Sequence, residues 1–207
     1  MDDDKHNIID TPAEKKRGLM DLFKYNAILS ALFFIGSTLY LSGQVDNYSF
    51  DRFTISQLSY FLNPNQLAFF NLTFIIKSLL DLSFTYYVFK IFKSRLNIFT
   101  ASVWLLAVLS FGLIGFFPVH QFFVLHWGLA ILLFISWTVS ELVFSLITED
   151  KKFIYFTNNI IFLQAATVFL FFAFNQIDAI FEIIYFVLAL IWQIVFIERY
   201  LKNESVS

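Results

Sequence analysis

Apolar residues fill six long segments of the chain, and short polar stretches separate them. Each segment has about the 20 residues that an α-helix needs to cross roughly 30 Å of hydrocarbon. Strands of a membrane barrel would alternate apolar and polar positions over about 10 residues, whereas the run FFVLHWGLAILLFISW is apolar nearly all round. The pattern therefore predicts an all-α polytopic membrane protein, a bundle of six transmembrane helices: Leu22–Ser42, Gln66–Phe92, Ile98–Phe117, Phe122–Ile147, Phe153–Phe174 and Ala179–Tyr200.

The polar stretches divide the chain around this bundle. We expect residues 1–20 to form a polar tail, residues 21–202 the six-helix transmembrane domain and residues 203–207 a second tail. The first connection, residues 43–65, is long, and connections of that length are often functional or packed as a partial helix. Apolar residues at helical spacing predict a short amphipathic helix on the outer surface in this connection: Ile55, Leu58, Phe61 and Leu62.

Positive residues mark one side of the membrane. One set of connections and both ends carry them: Lys15, Lys16, Arg17 and Lys24, then Lys90, Lys93 and Arg95, then Lys151 and Lys152, and finally Arg199 and Lys202. The other three connections hold one cation, Arg52. Because cytoplasmic loops carry the excess of Lys and Arg, both termini are expected to face the cytoplasm. The first apolar segment has full spanning length and no clear small-residue cleavage site, so a cleaved signal peptide is not expected.

Composition excludes several classes of function. Hydrophobic residues make up 58% of the chain, charged residues 14%, and the mean hydropathy is +0.70. A soluble domain has about 25% charged residues, so this chain has too few to cover a surface that faces water. There is no cysteine, which excludes disulfides, thiolate catalysis and cysteine metal sites. Lys and Arg do not cluster with aromatic residues as in a nucleic-acid interface, so membrane lipid and not nucleic acid is the expected partner.

Charges inside the second apolar segment are informative, because an isolated charge at mid-membrane costs roughly 2.5–3.5 kcal/mol on insertion scales. Lys77 lies near mid-depth, and Asp81 follows four residues later, about 40° around a helix. We expect these side chains to meet in an ion pair. Two interpretations stay open: a proton or ion relay, and a structural pair that neutralises itself and fixes helix packing.

Two of the three histidines fall within the run FFPVHQFFVLHWG, residues 116–128. Pro118 is expected in the first turn of the fourth helix, where its missing N–H is tolerated. His120 would then lie among the headgroups and His126 inside the apolar span. Six residues turn the two rings apart by about 240°, so this pair alone is a poor metal site, and zinc would require further ligands such as Asp178 or Glu182. We predict no metal and no cofactor.

Other polar residues point to the outer half of the bundle. Asp178 and Glu182 fall at the outer end of the sixth segment, the same side as the histidines, and Gln193 lies within about 60° of them around the helix. Glu141 falls near the inner end of the fourth segment, close to the cations of the next connection. We expect Glu141 to be a solvated residue at the end of its helix.

Two motifs resemble a known membrane family. The run GFFPVHQFFVLHWG resembles the signature of domain of unknown function 998, a bacterial and archaeal family in which a glycine, a hydrophobic residue and Phe-Pro precede a histidine. The run ISQLSYFLNPNQLAFFN resembles the S-x-L, N-P and F-N segment between the first two helices of that family. The resemblance spans about residues 22 to 147 and extends weakly to the rest. The chain is also distantly similar to the Frag1/DRAM/Sfk1 group of six-helix membrane proteins, through the same outer serine and proline features.

The resemblance implies a fold and a location in the plasma (inner) membrane, and it implies no established reaction. By position, the features of the family fall on Ser56, Asn63, Pro64, Asn71, Pro118 and His126. Lys77 stands where a glycine or another small residue is expected. A function of the Lys77–Asp81 pair would therefore be particular to this protein.

Three functions stay open at this stage. The first is a membrane protein that binds or moves a small amphipathic molecule or ion in an outer-half cavity built from His126, Asn71, Ser56, Asp178 and Glu182. The second is a structural or assembly protein whose partner is another copy or another membrane protein. The third is a membrane-embedded lipid hydrolase with Ser56 as nucleophile, His126 as base and Asp178 or Glu182 orienting the ring. No glycine elbow surrounds Ser56, so no catalytic residue is assigned.

Overall fold

The computed structural model describes residues 20–174 and 176–202, and these residues form helices and no strand. Six helices are long and apolar enough to cross a membrane, which confirms the predicted all-α six-helix bundle. A 3-10 turn, Leu22–Tyr25, leads into the first helix, and a π-helical turn, Ile197–Leu201, continues the last. We number the helices as follows: α1, Asn26–Ser42; α2, Pro64–Ile91; α3, Ile98–Phe116; α4, Phe123–Ile147; α5, Lys151–Ala173; and α6, Ala179–Phe196.

Polar residues directly before the helices fix where they begin. Asn63 Oδ1 accepts hydrogen bonds from Asn65 N at 3.1 Å and Gln66 N at 3.0 Å, and the Gln66 side chain accepts in turn from Asn63 N at 3.0 Å. This capping box satisfies amide groups that the first turn of α2 leaves free. Asn97 and Asp150 cap α3 and α5 with their side chains. These caps explain why the predicted limits of the spans agree with the structure to within two residues.

The place of Pro118 relative to α4 differs from the prediction. Gln121 N and Phe122 N both donate to Pro118 O, each at 3.0 Å, and this closes a tight turn before the helix. α4 therefore begins at Phe123, and Pro118 belongs to the preceding turn. The expectation that Pro118 lies in the first turn of the helix is wrong, and His126 takes that position instead.

Each helix packs against the next one in sequence, and α1 also contacts α6, which closes a ring. Lys24 Nζ donates to Lys202 O at 3.1 Å, so both ends of the described chain meet on one side of the bundle. We call this side the terminal end. The opposite side carries residues 43–63, and we call it the loop end. The cytoplasmic location of the terminal end stays a prediction from the charges.

The connection between α1 and α2 packs onto the loop end. It forms a five-residue 3-10 helix, Ser56–Tyr60, whose Leu58 is fully buried. Its backbone reaches the start of α6, where Phe53 O accepts a hydrogen bond from Ala179 N at 2.8 Å. Because the first amides of a helix have no partner within it, this contact ties the loop to α6.

Two glycines let α3 approach α2 closely. A Cβ atom at Gly115 would lie 2.6 Å from Asn71 O, and one at Gly112 would lie 2.7 Å from Ser78 Oγ. Small residues at such contacts are typical of packed membrane helices. Of the six spans, α3 has the largest share of buried residues, 50% of its most apolar window.

We predict that Gly115→Ala destabilises the protein by about 1–3 kcal/mol, the usual effect of overpacking. The added methyl group meets the backbone of α2, which cannot rotate away as a side chain can. The measurement is thermal unfolding of the purified protein in detergent. Gly128→Ala is the matched control, because nothing lies within 4 Å of its new Cβ and alanine favours helix. Equal unfolding temperatures for the two variants would contradict this account of the α2–α3 contact.

Candidate functional site

The Lys77–Asp81 pair lies in the middle of α2 and is shielded from lipid, with each residue 3% exposed. Lys77 Nζ is 2.5 Å from Asp81 Oδ2, and Ser30 Oγ of α1 donates to Asp81 Oδ1 at 2.5 Å. Lys77 Nζ also lies 4.4 Å from the ring centre of Phe111 and 5.0 Å from that of Trp137. Electron-rich ring faces attract a cation. The lysine charge is therefore balanced by one carboxylate and two aromatic rings.

Ser56, His126 and Glu182 line one cavity at the loop end, which measures about 340 Å³ including its open mouth. We call it the loop-end cavity. His126 is 3% exposed, and its Nδ1 donates to Phe117 O at 2.8 Å, because a carbonyl oxygen only accepts. The bond fixes the ring and, in neutral imidazole, makes Nε2 the acceptor. Within the described residues Nε2 has no hydrogen bond, so it is free to meet a ligand.

The other two expected ligand residues, Asn71 and Asp178, do not line this cavity. Asn71 lines an adjoining space together with Ser56 and His126. Asp178 does not line either space: its Oδ1 accepts from Phe181 N at 3.0 Å and caps α6. A side chain that caps the helix is held at the helix end, which is why Asp178 and Glu182, one turn apart, take different roles.

Carboxyl groups make the loop end electronegative. Glu182 Oε2 accepts a hydrogen bond from Ile55 N at 2.5 Å, which links α6 to the loop. Burial raises the pKa of Tyr48 well above its usual range, and the negative charges of Glu182 and Asp178 raise it further. The same potential favours a cation or a hydrogen-bond donor as an occupant of the loop-end cavity.

A cluster of three aromatic rings separates the loop-end cavity from the Lys77–Asp81 pair. Phe34 and Phe111 have ring centres 5.0 Å apart, and Phe186 lies 6.3 Å from the first and 6.0 Å from the second. We call these three residues the phenylalanine barrier. Phe34 and Phe186 line both the loop-end cavity and the next cavity inward, which contains Lys77. The same side chains therefore form the wall between the two cavities.

A third cavity lies toward the terminal end and contains two carboxyl groups, Asp81 and Glu141. Trp137 and Gln193 line both this cavity and the one with Lys77, so the two spaces adjoin. Glu141 is 1% exposed, and neither of its oxygens has a hydrogen-bond partner among the described residues. Gln164 lies nearby, but its Nε2 also lacks a partner.

The expectation that Glu141 is a solvated helix-end residue is wrong. It lies six residues before the end of α4 at Ile147, and its side chain turns into the bundle. The cations of the next connection, Lys151 and Lys152, are exposed and make no ion pair with it. The sequence signal for this location is Ser145, a small residue four positions later and about 40° away around the helix, which is also buried.

The loop-end cavity does not contain the hydrogen-bonded chain of a serine hydrolase. Ser56 Oγ contacts Thr54 Oγ1 at 3.1 Å, and within the described part of the chain no hydrogen bond joins it to His126. The His126 ring is held by a carbonyl, and Glu182 is engaged with the backbone of Ile55. A triad needs the base to contact the nucleophile and a carboxylate to orient the base. This arrangement is better suited to holding a ligand than to acyl transfer.

Metal binding finds no support in the described residues. Across 20–174 and 176–202, no group of three or more histidine, aspartate or glutamate side chains is arranged to hold a metal ion. Asn175, which the sequence also places near the loop end, lies outside the described residues.

We predict that Asp81→Leu destabilises the protein by about 3–5 kcal/mol, because Lys77 is then buried without its counter-charge. The double variant Lys77→Leu with Asp81→Leu removes both charges and should recover most of that loss. Thermal unfolding in detergent of the wild type, both single variants and the double variant gives the coupling free energy. Lys202→Leu with Glu198→Leu is the matched control, an exposed pair at the same i, i+4 spacing, and it should change stability little. Additive effects at Lys77 and Asp81 would contradict a direct pair.

Comparison with known proteins adds no relative to this geometry. No family model matches the chain, and neither a curated protein nor a solved structure matches it. The resemblance to domain of unknown function 998 and to the Frag1/DRAM/Sfk1 group therefore stays a prediction from short motifs.

Proposed function

We propose that this protein binds a small ion or amphipathic molecule in the loop-end cavity and moves it past the phenylalanine barrier toward Lys77 and Asp81. The observation that carries the proposal is the row of three adjoining cavities inside the bundle. Each cavity contains a buried ionisable side chain: His126 in the first, Lys77 in the second and Glu141 in the third.

Unpartnered polar atoms favour this function over a purely structural role. Polar groups inside a membrane are expensive, and proteins that keep them generally use them in ion or substrate pathways. A structural role accounts for Lys77 and Asp81, which neutralise each other. It does not account for the Glu141 carboxyl group, whose two buried oxygens lack hydrogen-bond partners among the described residues.

The proposal includes an orientation. With both termini in the cytoplasm, as the distribution of Lys and Arg predicts, the loop-end cavity opens on the outer side of the plasma membrane. The ligand then enters beneath residues 43–63 and meets the electronegative carboxyl groups of the loop end before it reaches the barrier. Cysteine accessibility tests this orientation readily, because the chain has no cysteine of its own.

We predict proton flux through the protein in liposomes loaded with a pH-sensitive dye and driven by a potassium diffusion potential. The double variant Lys77→Leu with Asp81→Leu should lower the flux about tenfold or more, since an added barrier of about 1.4 kcal/mol slows passage tenfold. His126→Ala should lower it as well. Phe186→Ala should raise it, because that change opens the phenylalanine barrier.

His120→Ala is the matched control for His126. The ring of His120 lies in the same turn region but packs on Tyr60, with ring centres 6.3 Å apart, and does not line the cavity. Equal flux for wild type and the Lys77/Asp81 double variant would refute passage along the cavities. Native mass spectrometry then tests the binding of an amphipathic molecule. The wild type and His120→Ala should retain a bound molecule, and His126→Ala should lose it.

An assembly role is favoured by a different observation. Asn158 and Asn159 are exposed on α5, about 10–12 Å along the helix from Lys151 and thus within the expected hydrocarbon span. Polar side chains that face lipid are unfavourable, and amides form hydrogen bonds between membrane helices. We propose as the alternative function that this face of α5 pairs with another copy of the chain.

We predict for this alternative that the protein is a dimer in mild detergent and that Asn158→Leu with Asn159→Leu makes it a monomer. Each lost amide contact between helices is worth about 1 kcal/mol or less, so the loss of both should shift the equilibrium measurably. Light scattering during gel filtration gives the mass. Phe162→Leu, an exposed change on the same helix, is the control. A monomeric wild type would exclude the assembly role.

A further inference from the structure

The cavity nearest the terminal end is lined by three of the four tryptophans in the chain: Trp104 of α3, Trp137 of α4 and Trp192 of α6. We call it the tryptophan cavity. Phe84 of α2 adds a fourth aromatic ring. The polar residues of the lining are Asp81, Ser140, Glu141 and Gln193. Aromatic rings and carboxyl groups thus enclose one small space, contributed by four helices.

Only one of the two carboxyl groups of this cavity has a counter-charge. Asp81 is compensated by Lys77 at 2.5 Å. Glu141 has no ion pair within the described part of the chain, and both of its oxygens lack hydrogen-bond partners there. A buried carboxylate without a partner is strongly unfavourable. A carboxyl group in this position either keeps its proton or binds a cation that supplies the missing counter-charge.

Two of the three tryptophans supply ring faces to the cavity and not donors. Trp104 Nε1 donates to Thr85 Oγ1 at 2.7 Å, and Trp192 Nε1 donates to Thr157 Oγ1 at 2.8 Å. These bonds fix the two indole rings and occupy their N–H groups. The Ser140 hydroxyl likewise donates a hydrogen bond to Ser136 O at 2.6 Å. The electron-rich faces of indole are the best aromatic partners for a cation.

We propose that the tryptophan cavity binds a small ammonium-type cation, either the ammonium ion or the head of a primary amine. Its N–H groups bond to the Glu141 carboxylate, and its charge rests against the indole rings. A hard metal cation would require about six oxygen ligands, which a cavity lined mostly by aromatic rings does not supply. The free space suits a head group of about the size of a water molecule.

This inference concerns binding at equilibrium and does not depend on passage past the phenylalanine barrier. Its position among three tryptophans makes the site observable by intrinsic fluorescence. The purified protein in detergent is titrated with methylammonium chloride at constant ionic strength set with sodium chloride. A saturable change in tryptophan fluorescence is expected, and it should persist in Trp127→Phe, because Trp127 does not line the cavity.

Glu141→Gln keeps the size of the side chain and removes its charge. We expect it to weaken methylammonium binding by about tenfold or more, the effect of losing about 1.4 kcal/mol. Glu198→Gln, which changes an exposed glutamate on the terminal side, is the matched control and should leave the affinity unchanged. Unaltered affinity in Glu141→Gln would overturn the proposal.

A second measurement requires no variant and covers the case in which Glu141→Gln does not fold. Methanol has the size of methylammonium without its charge, so the wild type should respond to it at least tenfold more weakly. An equal response to methanol, or the absence of saturation by methylammonium, would overturn the proposal and leave Glu141 as an uncharged carboxylic acid. The flux of the Lys77/Asp81 double variant tests passage, and the methylammonium titration tests binding, so either proposal can fail while the other holds.

Discussion

Hydrocarbon offers no hydrogen-bond partner, so every polar group that enters the membrane must find its partner inside the protein. Six helices satisfy most of the backbone. Side chains satisfy the N-terminal ends of four helices: Asn63 at α2, Asn97 at α3, Asp150 at α5, and Asp178 together with the carbonyl of Phe53 at α6. The ring of helices then encloses the polar side chains. Polar groups without such a partner, above all the Glu141 carboxyl group, are the candidates for a role in binding or transport.

Features that depend on one helix or on its immediate ends could be predicted from the sequence. The limits of the six spans follow from hydropathy and from capping residues, both of which act over a few residues. The contact between Lys77 and Asp81 follows from a spacing of one helical turn. The burial of His126 follows from its place in an apolar run, although the turn at Pro118 shifts the start of its helix.

Features that depend on how helices are rotated against one another could not be predicted. A sequence gives the angle between two side chains on one helix, but it does not tell which face the neighbours cover. The depth of Glu141 along α4 therefore predicts contact with solvent, whereas its direction around the helix axis turns it into the bundle. The meeting of Trp104, Trp137 and Trp192 has the same origin, since the three residues come from three helices. Asp178 and Glu182 differ because one of them caps the helix.

The hydrogen bond between Lys24 and Lys202 has a consequence for the connectivity of the fold. Because α1 contacts α6 and the chain enters and leaves on the same side, the order of helices around the ring is also their order along the chain. A short linker between the two ends would complete a cyclic polypeptide without crossing the bundle. Cleavage in any tight turn of such a cycle, for example beside Glu149, would yield a circular permutant with the same neighbours around every helix.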